Sequence, residues 1–173
     1  MEMSFLAGQE KRIEALRQAW TAEKTVVVKK LFTEILYTEY AQHKRDFPWR
    51  RDYKPYDIFV SEVMLQQTQA DRVAPKFEAF IAALPDFQSL AKVDQKSLLE
   101  LWQGLGYNRR ALYLKQSAEI IVDDYDGLLP NEPAALEQLP GIGPATAASI
   151  TVYAFNHPFP FIETNVRAVY FYP

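Results

Sequence analysis

PAALEQLPGIGPATAASITVYAF, residues 133–155, is the stretch on which the fold turns. It reads as a short helix from Pro133 to Leu139, a break at Pro140-Gly141-Ile142-Gly143, and a second helix from Pro144 to about Phe155. Proline at the first position of a helix costs nothing, because the N–H it lacks would have no partner there. Two glycines one residue apart let the chain reverse and present consecutive backbone N–H groups at the second helix's N-terminus. Such a terminus holds a phosphate without needing a lysine. The alternative is an ordinary tight connection between two helices. Charge bears on the choice: no lysine follows Lys115, and from Gln116 onward seven acidic residues stand against one base, Arg167. An anion bound by this third of the chain must be held by backbone groups or by Arg167.

Outward from the hairpin, the pattern stays helical. Asn108 to Asp124 is a long helix stopped by Asp126-Gly127 and Pro130. Before it lie short helices over 86–91 and 95–103, a helix over 71–84 ended by Pro85, and one from Pro55 to about residue 69. Residues 8–23 form an amphipathic helix with Ile13, Leu16 and Trp20 on one face, and residues 25–41 a second with Val27, Leu31, Ile35 and Leu36 inward. Phe47-Pro48-Trp49-Arg50-Arg51 is extended, since Pro48 biases Phe47 away from helix. A last helix begins near Thr164, and no strand series is seen, so the fold class is all-α.

Composition narrows the chemistry. Hydrophobic residues at 49% and charged residues at 24% support a packed core and argue against wholesale disorder. There is no apolar run near the roughly 18 residues of a membrane span, and the first residues lack the apolar stretch of a secretory signal, so a cytoplasmic protein is expected. Cysteine is absent, which excludes disulfides, thiol nucleophiles and cysteine-ligated zinc or iron–sulfur clusters in this chain; two histidines, His43 and His157, are too few for a histidine metal site. A net charge of −3 argues weakly against nucleic acid, yet residues 43–54 and 106–115 mix basic and aromatic side chains in the manner that suits phosphates and base stacking. For each stretch, aromatics in the core with solvated charges is an equally good reading.

One carboxylate stands out. On a helix, Glu62 shares its face with Ile58 and Leu65, and a carboxylate among aliphatic neighbours tends toward the raised pKa a general acid requires. Gln66-Gln67-Thr68-Gln69 follows as a polar block whose amides and hydroxyl could read base edges or fill a gap in a base stack. The plainer readings are a surface glutamate and a solvated helix end.

Together these segments resemble the helix-hairpin-helix DNA glycosylases, and among them the MutY-type adenine DNA glycosylases. The likeness is carried by Phe47-Pro48-Trp49-Arg50, Pro55-Tyr56, Ser61 to Gln69, Leu101-Trp102-Gln103-Gly104-Leu105-Gly106-Tyr107 with Arg109 and Arg110, the hairpin Leu139 to Gly143 with Thr146 and Ala147, and Phe159 to Val166. The resemblance implies a six-helix barrel with N-terminal helices, divided here as residues 1–54 (helices and Phe-Pro-Trp-Arg linker), 55–157 (barrel with hairpin) and 158–173 (start of a C-terminal helical part). It implies that Glu62 is the general acid that protonates an extruded adenine, and that Gln67 and Thr68 enter the duplex where the base has left. Tyr107 lies in the loop that wedges beside the opposite base. Gly141 and Gly143 grip a phosphate, and the carbonyls of Glu137, Leu139 and Ile142 match those that hold a monovalent cation in related hairpins. Trp49, Arg50, Leu65, Gln66, Gly104, Arg109 and Thr146 fall with the DNA contacts, and Asn165 with the catalytic group.

The departures are specific. The family's essential aspartate falls at Glu163, one methylene longer. The lysine of bifunctional relatives falls at Ala145, so base removal without strand cleavage is expected. Only eight residues follow Asn165, so the family's C-terminal helices, cysteine-held cluster and oxoguanine-recognising domain are expected to be missing from a fragment, a truncated product or a shortened relative. The implied function is a monofunctional base-excision-repair DNA N-glycosylase that flips a mispaired adenine out of duplex DNA carrying a mismatch or damaged base and hydrolyses its N-glycosidic bond, with no cofactor beyond that cation. Two rivals are a helix-hairpin-helix module that binds DNA without cutting and a glycosylase for thymine or uracil opposite guanine. Nothing in the sequence sets an oligomeric state.

Overall fold

A computed structural model describes residues 2–162 and 165–167, with side chains from Glu10 onward. The described residues are helical, with no strand among them, as the pattern of short helices broken by proline and glycine implies. Two compact units are present, Met1–Asp46 and Phe47–Pro173.

The first unit pairs α1 (Glu2–Thr21) with α2 (Thr25–His43) across a short turn. Arg12 Nη1 donates to Thr38 Oγ1 at 3.2 Å. Ala19 is the one described side chain of this unit that is fully buried. The inward face expected from Ile13, Leu16 and Trp20 is therefore only partly realised: Leu16 is half-buried, while Trp20 is 70% exposed. Val27 and Leu36 are also exposed. A two-helix pair offers one narrow seam, too small to cover a wide apolar stripe.

The second unit begins with Phe47, earlier than the boundary expected after Lys54. The reason is packing. In the short 3-10 turn Pro48–Arg50, Trp49 is buried, stacks on Phe47 with centroids 4.8 Å apart and meets Phe77 edge-on at 5.5 Å. Around this unit's core run α3 (Pro55–Leu65), α4 (Ala70–Ala83), α5 (Phe87–Lys92), α6 (Gln95–Trp102), α7 (Arg109–Asp124), α8 (Pro133–Leu136) and α9 (Pro144–Phe155). Helix α3 lies at its centre: Tyr56, Ile58, Phe59, Val60, Ser61, Val63 and Met64 are all buried. It packs on α4, α7 and α9. Short helices need caps, and the sequence supplies them: Asp86 and Ser89 form a reciprocal capping box on α5, and Asp94 accepts from Ser97 N–H at 3.0 Å on α6.

Helix α3 ends sooner than expected. It stops at Leu65 rather than near residue 69, and Gln67 takes a left-handed backbone with φ 53°. No glycine forces this turn; the carbonyls at the end of α3 are claimed by a side chain from α7, described below.

Candidate DNA-glycosylase site

The carboxylate that the sequence singles out sits where α3 crosses α9. Glu62 is half-buried, and the Ser149 hydroxyl lies 2.6 Å from its Oε2. One helical turn on, Gln66 Nε2 donates to Thr146 Oγ1 and to the Gly141 carbonyl, both at 3.2 Å. Glu62 and Gln66 are four apart, the second just past the end of α3, and Thr146 and Ser149 are three apart on one face of α9. The two polar faces meet in opposite order along the chain and bind the carboxylate helix to the hairpin.

Ser149 gives Glu62 a partner in either protonation state. Its oxygen is also 2.9 Å from the Thr146 carbonyl. When Glu62 is ionised, the single hydroxyl proton can point to the carboxylate; when Glu62 carries a proton, it can donate to Ser149, whose own proton turns to Thr146. Glu62 is thereby held in one place in both protonation states. If Glu62 is the general acid that the resemblance implies, Ser149→Ala should slow base release about tenfold at unchanged duplex affinity, since a hydrogen bond to a charged group is lost. Single-turnover kinetics beside a binding titration would check it.

The hairpin is built as its residue types require, but its two glycines do different things. Gly141 has φ 78°, and a Cβ there would come 2.9 Å from the ring of Tyr113, so glycine is obligatory for backbone and space alike. Gly143 has φ −94° and caps α9, with nothing within 4 Å of a Cβ built on it. Only Gly141 makes the reversal; Gly143 keeps the helix N-terminus open to whatever approaches. Helix α7 supports the turn from below, through Tyr113 and through Ser117 Oγ, which lies 3.2 Å from the Pro140 carbonyl. Gly143→Thr tests the open face, because threonine is itself a good helix cap. Its melting temperature should stay at the parental value while affinity for any duplex falls about tenfold, whatever the base pair, since backbone contacts carry no sequence information. An altered base preference at parental affinity would contradict this.

Two further loops flank Glu62's helix. Gln67 is exposed at the first turn beyond α3, and Tyr107, with φ 48°, is 65% exposed at the end of the loop Gln103–Asn108. Gly104 and Gly106 in that loop both have positive φ. Arg109 is exposed with its guanidinium 5.4 Å from the Tyr113 ring centroid. Thr68 is half-buried, as is Leu65, which packs against the core.

Several expected contacts lie elsewhere. Trp49 is in the core, so its ring is not presented to DNA; Arg50 beside it is exposed, 5.6 Å from the Phe47 centroid. Phe47 and Trp49 are core while Tyr53 is exposed, and Arg51 pairs with Glu78 at 3.5 Å, so residues 43–54 follow the plainer reading at Phe47 and Trp49 and not at Tyr53. The Gln66 amide is engaged with the hairpin rather than offered outward. In residues 106–115, Arg110 is buried and Lys115 is bound to Glu119 and to the Ala91 carbonyl, leaving Arg109 as the exposed cation of that stretch. Asn165 is exposed; Glu163 lies outside the described residues. Ser149 and Arg110 are the residues of the site whose parts the sequence reading missed.

The family model for HhH-GPD superfamily base excision DNA repair proteins matches residues 60–171, which takes in Glu62, the Tyr107 loop and the hairpin. The chain belongs to this superfamily. Among curated members, it is 39% identical over 135 residues to the adenine DNA glycosylase of Mycolicibacterium smegmatis, covering 78% of this chain and 46% of that protein. It is 35% identical over 144 residues to the adenine DNA glycosylase of Buchnera aphidicola subsp. Acyrthosiphon pisum, covering 83% and 41%. The human adenine DNA glycosylase is 37% identical over 147 residues, 80% of this chain and 27% of that one. The chain thus spans less than half the length of these HhH-GPD relatives. Among solved structures, a thermostable thymine-DNA glycosylase superposes with TM-score 0.73 at 30% identity, over 79% of this chain and 63% of that one. Endonuclease III in a non-covalent DNA complex superposes with TM-score 0.69 at 20% identity, over 82% and 66%, a likeness of fold.

No helix among the described residues is long and apolar enough to cross a membrane. Nor do the described residues hold a cluster of histidine, cysteine, aspartate or glutamate able to bind a metal ion.

Proposed function

We propose that this chain binds duplex DNA and hydrolyses the N-glycosidic bond of a mispaired adenine that has been turned out of the helix. The observation that carries the proposal is Glu62 paired with Ser149 at 2.6 Å on a helix tied to the hairpin. A base inside a duplex is out of reach of any side chain, so it must be extruded first. The exposed N-terminus of α9 then holds backbone phosphate, while Gln67 and Tyr107 occupy the disturbed stack. Glu62 protonates the base and makes it a neutral leaving group. The sugar left behind is oxocarbenium-like, and a carboxylate at Glu163 stabilises it until water adds, as paired carboxylates do in sugar hydrolysis.

Adenine as the substrate is supported by the three curated relatives described above, each an adenine DNA glycosylase. The likeness to a thymine-DNA glycosylase favours a second reading, removal of thymine or uracil opposite guanine. A monovalent cation on the carbonyls of Glu137, Leu139 and Ile142 belongs to the proposal as well. The donor set is hard oxygen, and Leu139 O, which accepts the Ile142 N–H at 3.1 Å, keeps a second lone pair. Bound there, the ion would add positive charge beside the phosphate grip.

Ala145 is exposed on the first turn of α9 and offers no amine. Incubated with duplexes carrying adenine opposite oxoguanine, thymine opposite guanine or uracil opposite guanine, the protein should leave an abasic site in the first alone. The strand should break only on later alkali treatment, and borohydride should trap no covalent adduct. A trapped adduct, or cleavage confined to the thymine or uracil duplex, would overturn the assignment.

A further inference from the structure

Arg110 stands in the first turn of α7 and is 9% exposed. Its Nη1 donates to the carbonyls of Val63, Met64 and Gln66 at 3.0, 2.8 and 2.5 Å. Its Nη2 donates to Thr68 Oγ1 at 3.0 Å and to the carbonyls of Leu105 and Gly106 at 3.3 and 3.2 Å. The guanidinium carbon also lies 5.4 Å from the Trp102 ring centroid and 5.5 Å from that of Tyr107. No carboxylate is among these partners, and burial pushes the guanidinium's pKa down from its ordinary value. A buried charge without a counter-ion is costly, and it is tolerated here because six oxygens surround it.

The six oxygens fall into two sets. Val63, Met64, Gln66 and Thr68 belong to the end of α3 and the turn after it, where a helix leaves carbonyls unsatisfied and its dipole is negative. Leu105 and Gly106 belong to the loop after α6. Each set leads to an exposed tip in a left-handed backbone, Gln67 at φ 53° and Tyr107 at φ 48°. Neither is a glycine, so each conformation is strained and persists only where its surroundings over-determine it. Arg110 hydrogen-bonds both loops.

We propose that Arg110 is a positioning residue that locks the Gln67 tip and the Tyr107 tip into one rigid unit, so that the two side chains enter a duplex together. The proposal rests on the glycosylase reading, in which both tips meet DNA. Lysine in place of Arg110 would keep the charge but replace two forked nitrogens carrying four N–H donors by a single nitrogen with three, which cannot reproduce the bonds that Nη1 and Nη2 make to the two loops. Each tip would then be ordered separately on binding.

The test is a double-mutant cycle of Gln67→Ala and Tyr107→Ala, reading affinity for a duplex with a non-hydrolysable adenosine analogue opposite oxoguanine. In the parent protein the two replacements should be non-additive by about three- to tenfold. In Arg110→Lys they should become additive, while circular dichroism shows the helices intact. Thr68→Val, which removes one acceptor on the Gln67 side and keeps shape, should lower the coupling too, and it carries the test if Arg110→Lys does not fold. Coupling of parental size in either folded variant, or additivity in the parent, would overturn the clamp. Single replacements that leave affinity unchanged would remove the DNA interface itself, and the clamp with it.

Discussion

Glu62→Gln is expected to lower the rate of base release by about 10²–10⁴-fold, the range that positioned proton transfer contributes, while duplex binding is retained. The amide keeps the size and planarity of the carboxyl. It can still accept from Ser149, 2.6 Å from Oε2 in the parent, so α3 stays fastened to α9. What it lacks is an acidic proton to give to the base. Glu62 is half-buried and lies among the buried residues of α3, so a change that alters charge without altering shape isolates the chemistry from the packing. Base release at the parental rate would mean that another group supplies the proton.

Trp102→Ala is expected to destabilise the protein by about 3–5 kcal/mol, the usual cost of removing a fully buried aromatic. Trp102 has no exposed surface, meets Phe80 edge-on at 6.1 Å and donates from Nε1 to the Gly106 carbonyl at 3.1 Å. It is both core and the floor of the Tyr107 loop. Trp102→Phe separates the two parts. It keeps much of the apolar volume but drops the N–H, so its stability loss should be smaller than that of the alanine variant, and the Tyr107 loop should still be loosened. Chemical denaturation measures the first effect, and amide exchange across Gly104–Asn108 the second. A loss below about 1 kcal/mol for Trp102→Ala, ordinary for surface positions, would show that the residue is not core.

Much of the fold was legible because the chain marks its own breaks. Pro133 and Pro144 mark the starts of α8 and α9, and Asp86 and Asp94 announce the starts of α5 and α6, although α8 ends at Leu136, short of the expected Leu139. The end of α3 was not legible, since it is set by an arginine 44 residues away in sequence rather than by any local breaker. Arg110 itself looks like Arg109 when read in order. The distinguishing signal is periodicity: Arg110 falls on the same face as Ala111, Leu114, Ala118 and Ile121, the buried side of α7. Ser149 was missed for a related reason. On its own helix it is a small polar residue among alanines, and its part appears only when Thr146 and Ser149 are set against Glu62 and Gln66 on the facing helix. Trp49 was misplaced because a basic and aromatic cluster reads alike whether its rings face DNA or the core, and the pairing with Phe77, distant in sequence, decides it.

The central claim is that this chain releases a base by hydrolysis through Glu62. The most direct measurement is single-turnover incubation with a duplex carrying adenine opposite oxoguanine, with free adenine quantified by mass spectrometry for the parent protein and for Glu62→Gln side by side. The expected result is free adenine from the parent, and none above background from a Glu62→Gln variant that still binds the duplex. A parent protein that binds the duplex and releases no adenine, or a Glu62→Gln variant that releases it as fast, would contradict the claim.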